Sequence, residues 1–270
     1  MPQNRPVTID VDAIAASKFP GKKIPGWILS LVKKIVHQDF LNVYFSQGKI
    51  GVDFAPGAVE YLGVKLKVEG EENIPSEGRF TFVSNHPLGG IDAISEIAFV
   101  GTKYNGDMYI PANDFLSSLK QIDEYIVPIN KTGGQSRQLG EKMDEAFSSD
   151  RQILIFPAGM CSRKFDGKIQ DAKWKKTFLT KSKEFHRDII PMWFSGRNSR
   201  RFYFIDGLCK KLGIKTNIAM FFLPDELYRG RNKEYTLRIG KPIPWQTFTD
   251  EKKDVDWAAY VREKVYELED

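Results

Sequence analysis

The chain has 270 residues, 41% of them hydrophobic, and a formal net charge of +5, which suits one large packed domain and excludes a disordered chain. Two cysteines and three histidines exclude a disulfide framework and a zinc cluster and fit a reducing compartment. The first ten residues are polar and show no apolar h-region of a secretory signal, no apolar run of about 18 residues marks a membrane span, and no recognisable nucleic-acid-binding signature accompanies the basic excess.

Taken in order, residues 1–22 read as a polar lead with one short helix over 11–18, and the Pro-Gly pairs at 20–21 and 25–26 punctuate the chain before the next element. Ile24, Trp27, Ile28, Leu31, Val32 and Ile35, then Phe40 and Leu41, recur at helical spacing, with Lys33, Lys34 and His37 on the other side. This amphipathic pattern suits an interfacial helix and an ordinary surface helix equally. Residues 54–57 (Phe-Ala-Pro-Gly) read as a turn or linker, followed by a short helix over 59–62. Residues 64–70 alternate as a strand with one wet face, and 80–84 form a second, apolar strand. A helix over 92–100, a strand over 108–111, a short helix over 114–119 and a buried strand over 125–129 come next. The segment 131–137 carries a Gly pair with a Lys, a Ser and an Arg, a weak phosphate-cradling pattern that lacks the Walker ending. Then come an amphipathic helix over 139–147, a strand over 152–156, a Lys-rich helix over 171–185 and a strand over 189–194. Residues 195–201 read as a basic loop, 206–212 as a helix, 217–223 and 234–239 as strands, and 255–268 as a closing helix.

Strands and helices alternate throughout, so the expected fold is α/β, a mixed and largely parallel sheet flanked by helices, with an N-terminal amphipathic helical segment. The expected division is 1–53 for that segment and 54–270 for the main domain. In such sheets ligands bind outside the carboxyl ends of the strands. Four loops leave strands there, after Ser84, Ile129, Phe156 and Phe194. The first of them reads Asn85-His86-Pro87-Leu88-Gly89-Gly90-Ile91-Asp92. Pro87 and the Gly pair end the strand, and Asp92 falls in the first turn of the next helix, where a carboxylate suits the dipole. A His leaving a strand and an Asp entering a helix can meet, the carboxylate fixing the imidazole and leaving its other nitrogen as a base. The spacing alone favours a solvated His in an ordinary turn.

The stretch 85–92 resembles the first block of the glycerolipid acyltransferase family, the lysophosphatidate acyltransferase type. Phe156-Pro157-Ala158-Gly159-Met160-Cys161-Ser162-Arg163 is similar to its third block, residues 127–131 stand where the second belongs, and Ile189-Ile190-Pro191-Met192 matches the short fourth block. The His-to-Asp spacer is one residue longer than the common form, and Ala158 stands where the family carries Glu. The His-Pro-x-Gly-x-x-Asp form is similar to the branch of haemolysin-like proteins and O-acyltransferases of ornithine and glycine lipids.

The resemblance implies acyl transfer from an acyl carrier protein or CoA thioester to a hydroxyl of a lysophospholipid or lyso-amino-acid lipid. His86 is then the base and Asp92 its orienting group, with no metal or other cofactor. Asn85, Gly89, Gly90, Lys131, Gly159, Ser162, Arg163 and Lys164 are the implied substrate-binding set, with amides near Gly159 or in the 89–90 turn as oxyanion donors. The absent Glu points to an acceptor other than glycerol phosphate, such as an N-acylated amino acid with a hydroxylated chain. Contact with lipid favours the interfacial reading of the helix at Trp27 and places the protein on the cytoplasmic, inner face of a membrane. A Cys161–His86 nucleophilic mechanism, a thioester or ester hydrolase and a non-catalytic lipid-binding homologue are the competing readings. No Gly-x-Ser-x-Gly elbow supports a serine hydrolase.

Overall fold

The computed structural model describes residues 8–112, 120–129, 136–214 and 217–270. The helix expected over 114–119 and the loop over 131–135, with Lys131, lie outside them. The N-terminal helices are α1 (Val11–Lys18), α2 (Gly26–Ile35) and α3 (Gln38–Phe45). The single helical pattern through Phe40 is therefore two helices, broken at His37, whose φ of 49° is left-handed. No residue of α2 is buried, and Trp27 and Leu31 stand in solvent. By contrast, α3 lends Tyr44 and Phe45 to the core cluster that holds Phe54 and Phe82.

Residues 54–57 are not a linker. They open α4 (Phe54–Tyr61), whose Pro56 sits in the first turn, where no intrahelical N–H is needed. The chain continues through β1 (Lys65–Glu69), β2 (Phe80–Ser84), α5 (Ile91–Lys103), β3 (Met108–Ala112), β4 (Ile126–Pro128), α6 (Ser136–Ser148) and β5 (Gln152–Ile155). After β5 it makes a small hairpin, β6 (Arg163–Phe165) and β7 (Lys168–Gln170), that the apolar pattern does not announce. Next are α7 (Thr177–Glu184), β8 (Asp188–Phe194), α8 (Arg200–Lys211), a 3-10 turn over Ile218–Phe222, α9 (Leu223–Arg229), β9 (Glu234–Ile239) and α10 (Asp254–Tyr266).

Three further elements differ from expectation. The Lys-rich helix starts at Thr177, not 171, because Asp171 is held by side-chain partners elsewhere in the fold. The helix expected from 206 begins at Arg200, capped by Ser199, whose Oγ accepts the Phe202 N–H. The strand expected over 217–223 is the 3-10 turn, followed at once by α9 with Pro224 in its first turn.

Seven strands form one sheet in the order β1-β9-β8-β2-β5-β3-β4, parallel except for the β8–β9 pair. β2 is central, with β5 on one side and β8 on the other, so it is buried on both faces and mostly apolar. Phe80 and Phe82 face the cluster under α4 and α5, while Val83 faces that of α6, α7 and α10. Among the described residues no helix is long and apolar enough to cross a membrane.

Candidate active site

The carboxyl ends of β2, β5 and β8 meet at the middle of the sheet, and the chain leaving β2 carries Asn85 and His86 there. Asn85 continues the ladder with its side chain: Phe194 donates its N–H to Oδ1 at 2.7 Å, and Nδ2 donates to the Phe194 carbonyl at 3.0 Å. That exchange pins the start of the turn to the end of β8. Gly89 takes a φ of 79°, and a Cβ there would lie 2.8 Å from the Cβ of Cys161, so the bend needs glycine for two reasons.

The bend brings His86 Nδ1 to 3.1 Å from Asp92 Oδ2. The same oxygen accepts the N–H groups of Leu88 and Gly89, and Oδ1 accepts that of Ala93. Asp92 is fully buried; in the neutral ring, Nδ1 donates its proton to the carboxylate and Nε2 keeps its lone pair. No side chain or backbone group among the described residues bonds Nε2. The ring lies against Phe156, centroids 4.4 Å apart, with 14% of the side chain open to solvent. Burial disfavours charge on His86, but the Asp92 carboxylate outweighs it, and the imidazole pKa ends raised. On Asp92 burial pulls the pKa up, and His86 with the turn amides pulls harder, leaving it lowered.

Sequence reasoning missed Asp171. Its carboxylate accepts the backbone N–H of His86 (3.2 Å), the Ser162 hydroxyl (2.6 Å) and the Trp174 indole N–H (3.0 Å). Ser162 in turn donates its N–H to the His86 carbonyl at 2.6 Å. Asp171 thus ties both peptide groups around His86 to the segment after β5. Burial raises its pKa. The absence of helix caps or a breaker between Asp171 and Thr177 hid it inside an expected helix. Glu96, one turn beyond Asp92, is also buried, and burial with the Asp92 charge keeps its carboxyl well above the usual range. It accepts the Ser84 hydroxyl at 2.8 Å, behind the strand end.

Compared with known proteins, residues 13–270 match the family model described as Acyltransferase. The chain is 49% identical over 265 residues to the lyso-glycine lipid O-acyltransferase of Phocaeicola vulgatus, covering 96% of this chain and 95% of that one. It is 48% identical over 264 residues to the protein of the same name from Bacteroides thetaiotaomicron, covering 96% and 97%. This chain belongs to the acyltransferase family. The crystal structure of the 1-acyl-sn-glycerophosphate acyltransferase PlsC from Thermotoga maritima shares the fold of this acyltransferase, with a TM-score of 0.50, 21% identity and coverage of 81% of this chain and 78% of that one.

Not every residue implied by the resemblance faces the His86 Nε2 side. In this acyltransferase Asn85 and Ser162 are buried and engaged as fasteners of the turn. Arg163, in the implied substrate-binding set, is buried beneath α8. Its Nε donates to Asp206 at 3.0 Å, and its other nitrogens reach the Cys161 carbonyl and the Asn217 side chain. Cys161 is buried beside it, with a thiol pKa pushed up to about 11 by burial, which argues against a thiolate nucleophile. Gly159 and Lys164 are exposed. The N–H of Gly159 goes to the Phe156 carbonyl and that of Gly89 to Asp92, so neither is presented as an oxyanion donor. Gly90 ends the turn as the N-cap of α5.

Proposed function

We propose that this acyltransferase transfers an acyl chain from a thioester of acyl carrier protein or CoA to the hydroxyl of a lyso-amino-acid lipid of the glycine-lipid class. His86 Nε2 takes the proton of the acceptor hydroxyl as its oxygen bonds to the thioester carbonyl carbon. The tetrahedral intermediate collapses, the C–S bond breaks, and the proton passes from Nε2 to the departing thiolate. Asp92 holds the ring through Nδ1 and stabilises the imidazolium. The N-terminus of α5, with the amide of Gly90, is the donor end assigned to the oxyanion. The observation that carries this reading is the 3.1 Å His86–Asp92 contact at the carboxyl end of the central strand, with Nε2 unpartnered among the described residues.

Two observations support the acceptor. The two relatives at 48–49% identity are lyso-glycine lipid O-acyltransferases. Where the lysophosphatidate-type block has Glu, this chain has Ala158, packed in an apolar cluster with Trp174. Residues 1–53, with Trp27 and Leu31 of α2 facing outward, serve as the interfacial segment of this reading, and 54–270 as the acyltransferase domain at the inner membrane face.

The test is a transfer assay with labelled acyl-carrier-protein and acyl-CoA donors against lyso-glycine lipid and lysophosphatidate, comparing wild type with His86→Ala. Turnover on lyso-glycine lipid that the variant loses by about 100-fold or more is the expected result. Equal use of lysophosphatidate would refute the acceptor. Free fatty acid released without acceptor would replace transfer by hydrolysis, and unimpaired transfer by the variant would remove His86 as the base.

A further inference from the structure

The outward face of α8 has a pattern the catalytic reading does not use. Arg200, Phe204, Leu208 and Leu212 recur every fourth residue, which puts them in one stripe along the helix. The three apolar members are 69%, 43% and 64% exposed, far above what side chains of their size usually show. The neighbouring 3-10 turn adds Met220 and Phe221, the latter 59% exposed.

The inward face of α8 packs against the catalytic turn. Phe202 and Tyr203 cluster with Cys161 and Ala219, and Cys161 fills the space a Cβ at Gly89 would need. Asn198, just before the helix, donates its side-chain amide to the Leu88 carbonyl at 3.2 Å. The apolar stripe therefore lies about one helix diameter, on the order of 10 Å, from the turn that carries His86.

Cations outnumber acids around the stripe, although Asp225, just beyond it, lies 3.5 Å from Arg201. Between residues 199 and 224 the sequence holds Arg200, Arg201, Lys210, Lys211 and Lys215 against a single acid, Asp206. Asp206 points inward to Arg163 and is also paired with Lys210 at 2.7 Å. Among the described residues of this stretch, the outward face thus presents apolar tips flanked by cations and no carboxylate.

We propose that α8 and the 3-10 turn after it form a membrane-docking surface that seats the catalytic turn against a bilayer containing anionic lipid. Large apolar side chains at the tips and cations at the flanks are what an anionic interface rewards. A second copy of the chain would set Arg200 and Lys211 against their own kind across a two-fold contact. An acidic protein would have to cover five protruding apolar groups as well as the charge. The surface rests on the lipid-acceptor reading for its purpose only, and vesicle binding is measured without turnover, so the two fail separately.

The test is co-sedimentation of the full chain with vesicles of phosphatidylcholine alone and of phosphatidylcholine mixed with phosphatidylglycerol. Wild type is expected to bind the mixed vesicles better, and added salt to weaken that preference. The triple variant Phe204→Ser, Leu208→Ser, Leu212→Ser should lose at least about tenfold in partitioning to both. Its melting temperature and its turnover on detergent-dispersed acceptor should stay near wild type. Arg200→Glu with Lys211→Glu should weaken binding to the mixed vesicles alone, and this pair decides the matter if the triple variant is misfolded. The proposal is overturned if either folded variant binds as wild type does, or if wild type ignores both vesicle types. It is also overturned if wild type is a dimer that the triple variant dissolves, or if the triple variant loses only its response to acyl carrier protein.

Discussion

His86 and His37 each meet an aspartate, at 3.1 Å through Nδ1 and at 2.9 Å through Nε2 respectively. The two carboxylates live differently. Asp92 is completely buried, and among the described residues its hydrogen-bond partners come from its own turn: one imidazole and three backbone N–H groups. Asp225 is shared between His37, Arg229 at 2.7 Å and Arg201 at 3.5 Å, on the rim of a surface pocket lined also by Tyr228 and Arg231. The His37 ring is stacked flat on Tyr228, 3.8 Å between centroids. The same two side-chain types thus form the pair we propose as base and helper in one place and a surface fastener in the other. The two differ in whether the carboxylate has another cation to satisfy.

The strongest way to break that contrast is Asp92→Asn. The amide keeps the shape but removes the charge that holds the imidazole upright and raises its pKa. kcat/KM is expected to fall about 100- to 10,000-fold. The pH profile gives the sign. His86 must be neutral to accept a proton, so in wild type its raised pKa sets the acid limb above the ordinary imidazole value of about 6.5. In Asp92→Asn burial acts without its counterweight, and the limb should move to lower pH even as the plateau drops. An acid limb that stays in place would mean that Asp92 does not govern the base.

A smaller effect is expected at Asp171, which touches the backbone of His86 and not its ring. Asp171→Asn offers one acceptor oxygen to three donors and turns an N–H₂ towards one of them. Leaving a buried donor unmet costs about 1–3 kcal/mol, read as a lower melting temperature. Removing a nearby negative charge should also move the acid limb slightly down, because Asp171 adds to the raised pKa of His86. A loss of kcat with KM unchanged, together with that shift, marks a positioning residue. A lower melting temperature with an unmoved profile would make Asp171 purely structural.

These two carboxylates also show how far the sequence could be read. Asp92 was legible because turn chemistry is local: Pro87 and the Gly pair end β2 within a few residues, so the two side chains have nowhere else to meet. The sheet was legible for the same reason, since each buried strand is a short apolar run between punctuating residues. Asp171 was hidden because its partners lie 85 and 9 residues away in the chain, at His86 and Ser162, and no periodicity reports such a contact. Arg163 misled in the opposite direction. A cation beside a block that resembles a binding motif suggests an anion in solution, whereas Asp206 already neutralises it, from a helix that begins at Arg200 and so ahead of its apolar pattern. The run 217–223 failed because apolar residues serve a 3-10 turn as well as a strand, and only Ala219 of that turn is buried.

The smallest expected effect belongs to His37, and it sharpens the comparison most directly. The residue sits at a φ of 49° between α2 and α3, so His37→Asn is the suitable change, because Asn tolerates the left-handed region. The variant loses the Tyr228 stack and one partner of Asp225, which keeps Arg229 and Arg201. A partly exposed contact of this kind contributes about 1 kcal/mol or less, a shift of a few degrees at most in melting temperature. Turnover and its pH profile should match wild type within about twofold. A large loss of kcat, or a displaced acid limb, would mean that the pocket at Asp225 takes part in the reaction and that the division between a working and a fastening His–Asp pair is drawn in the wrong place.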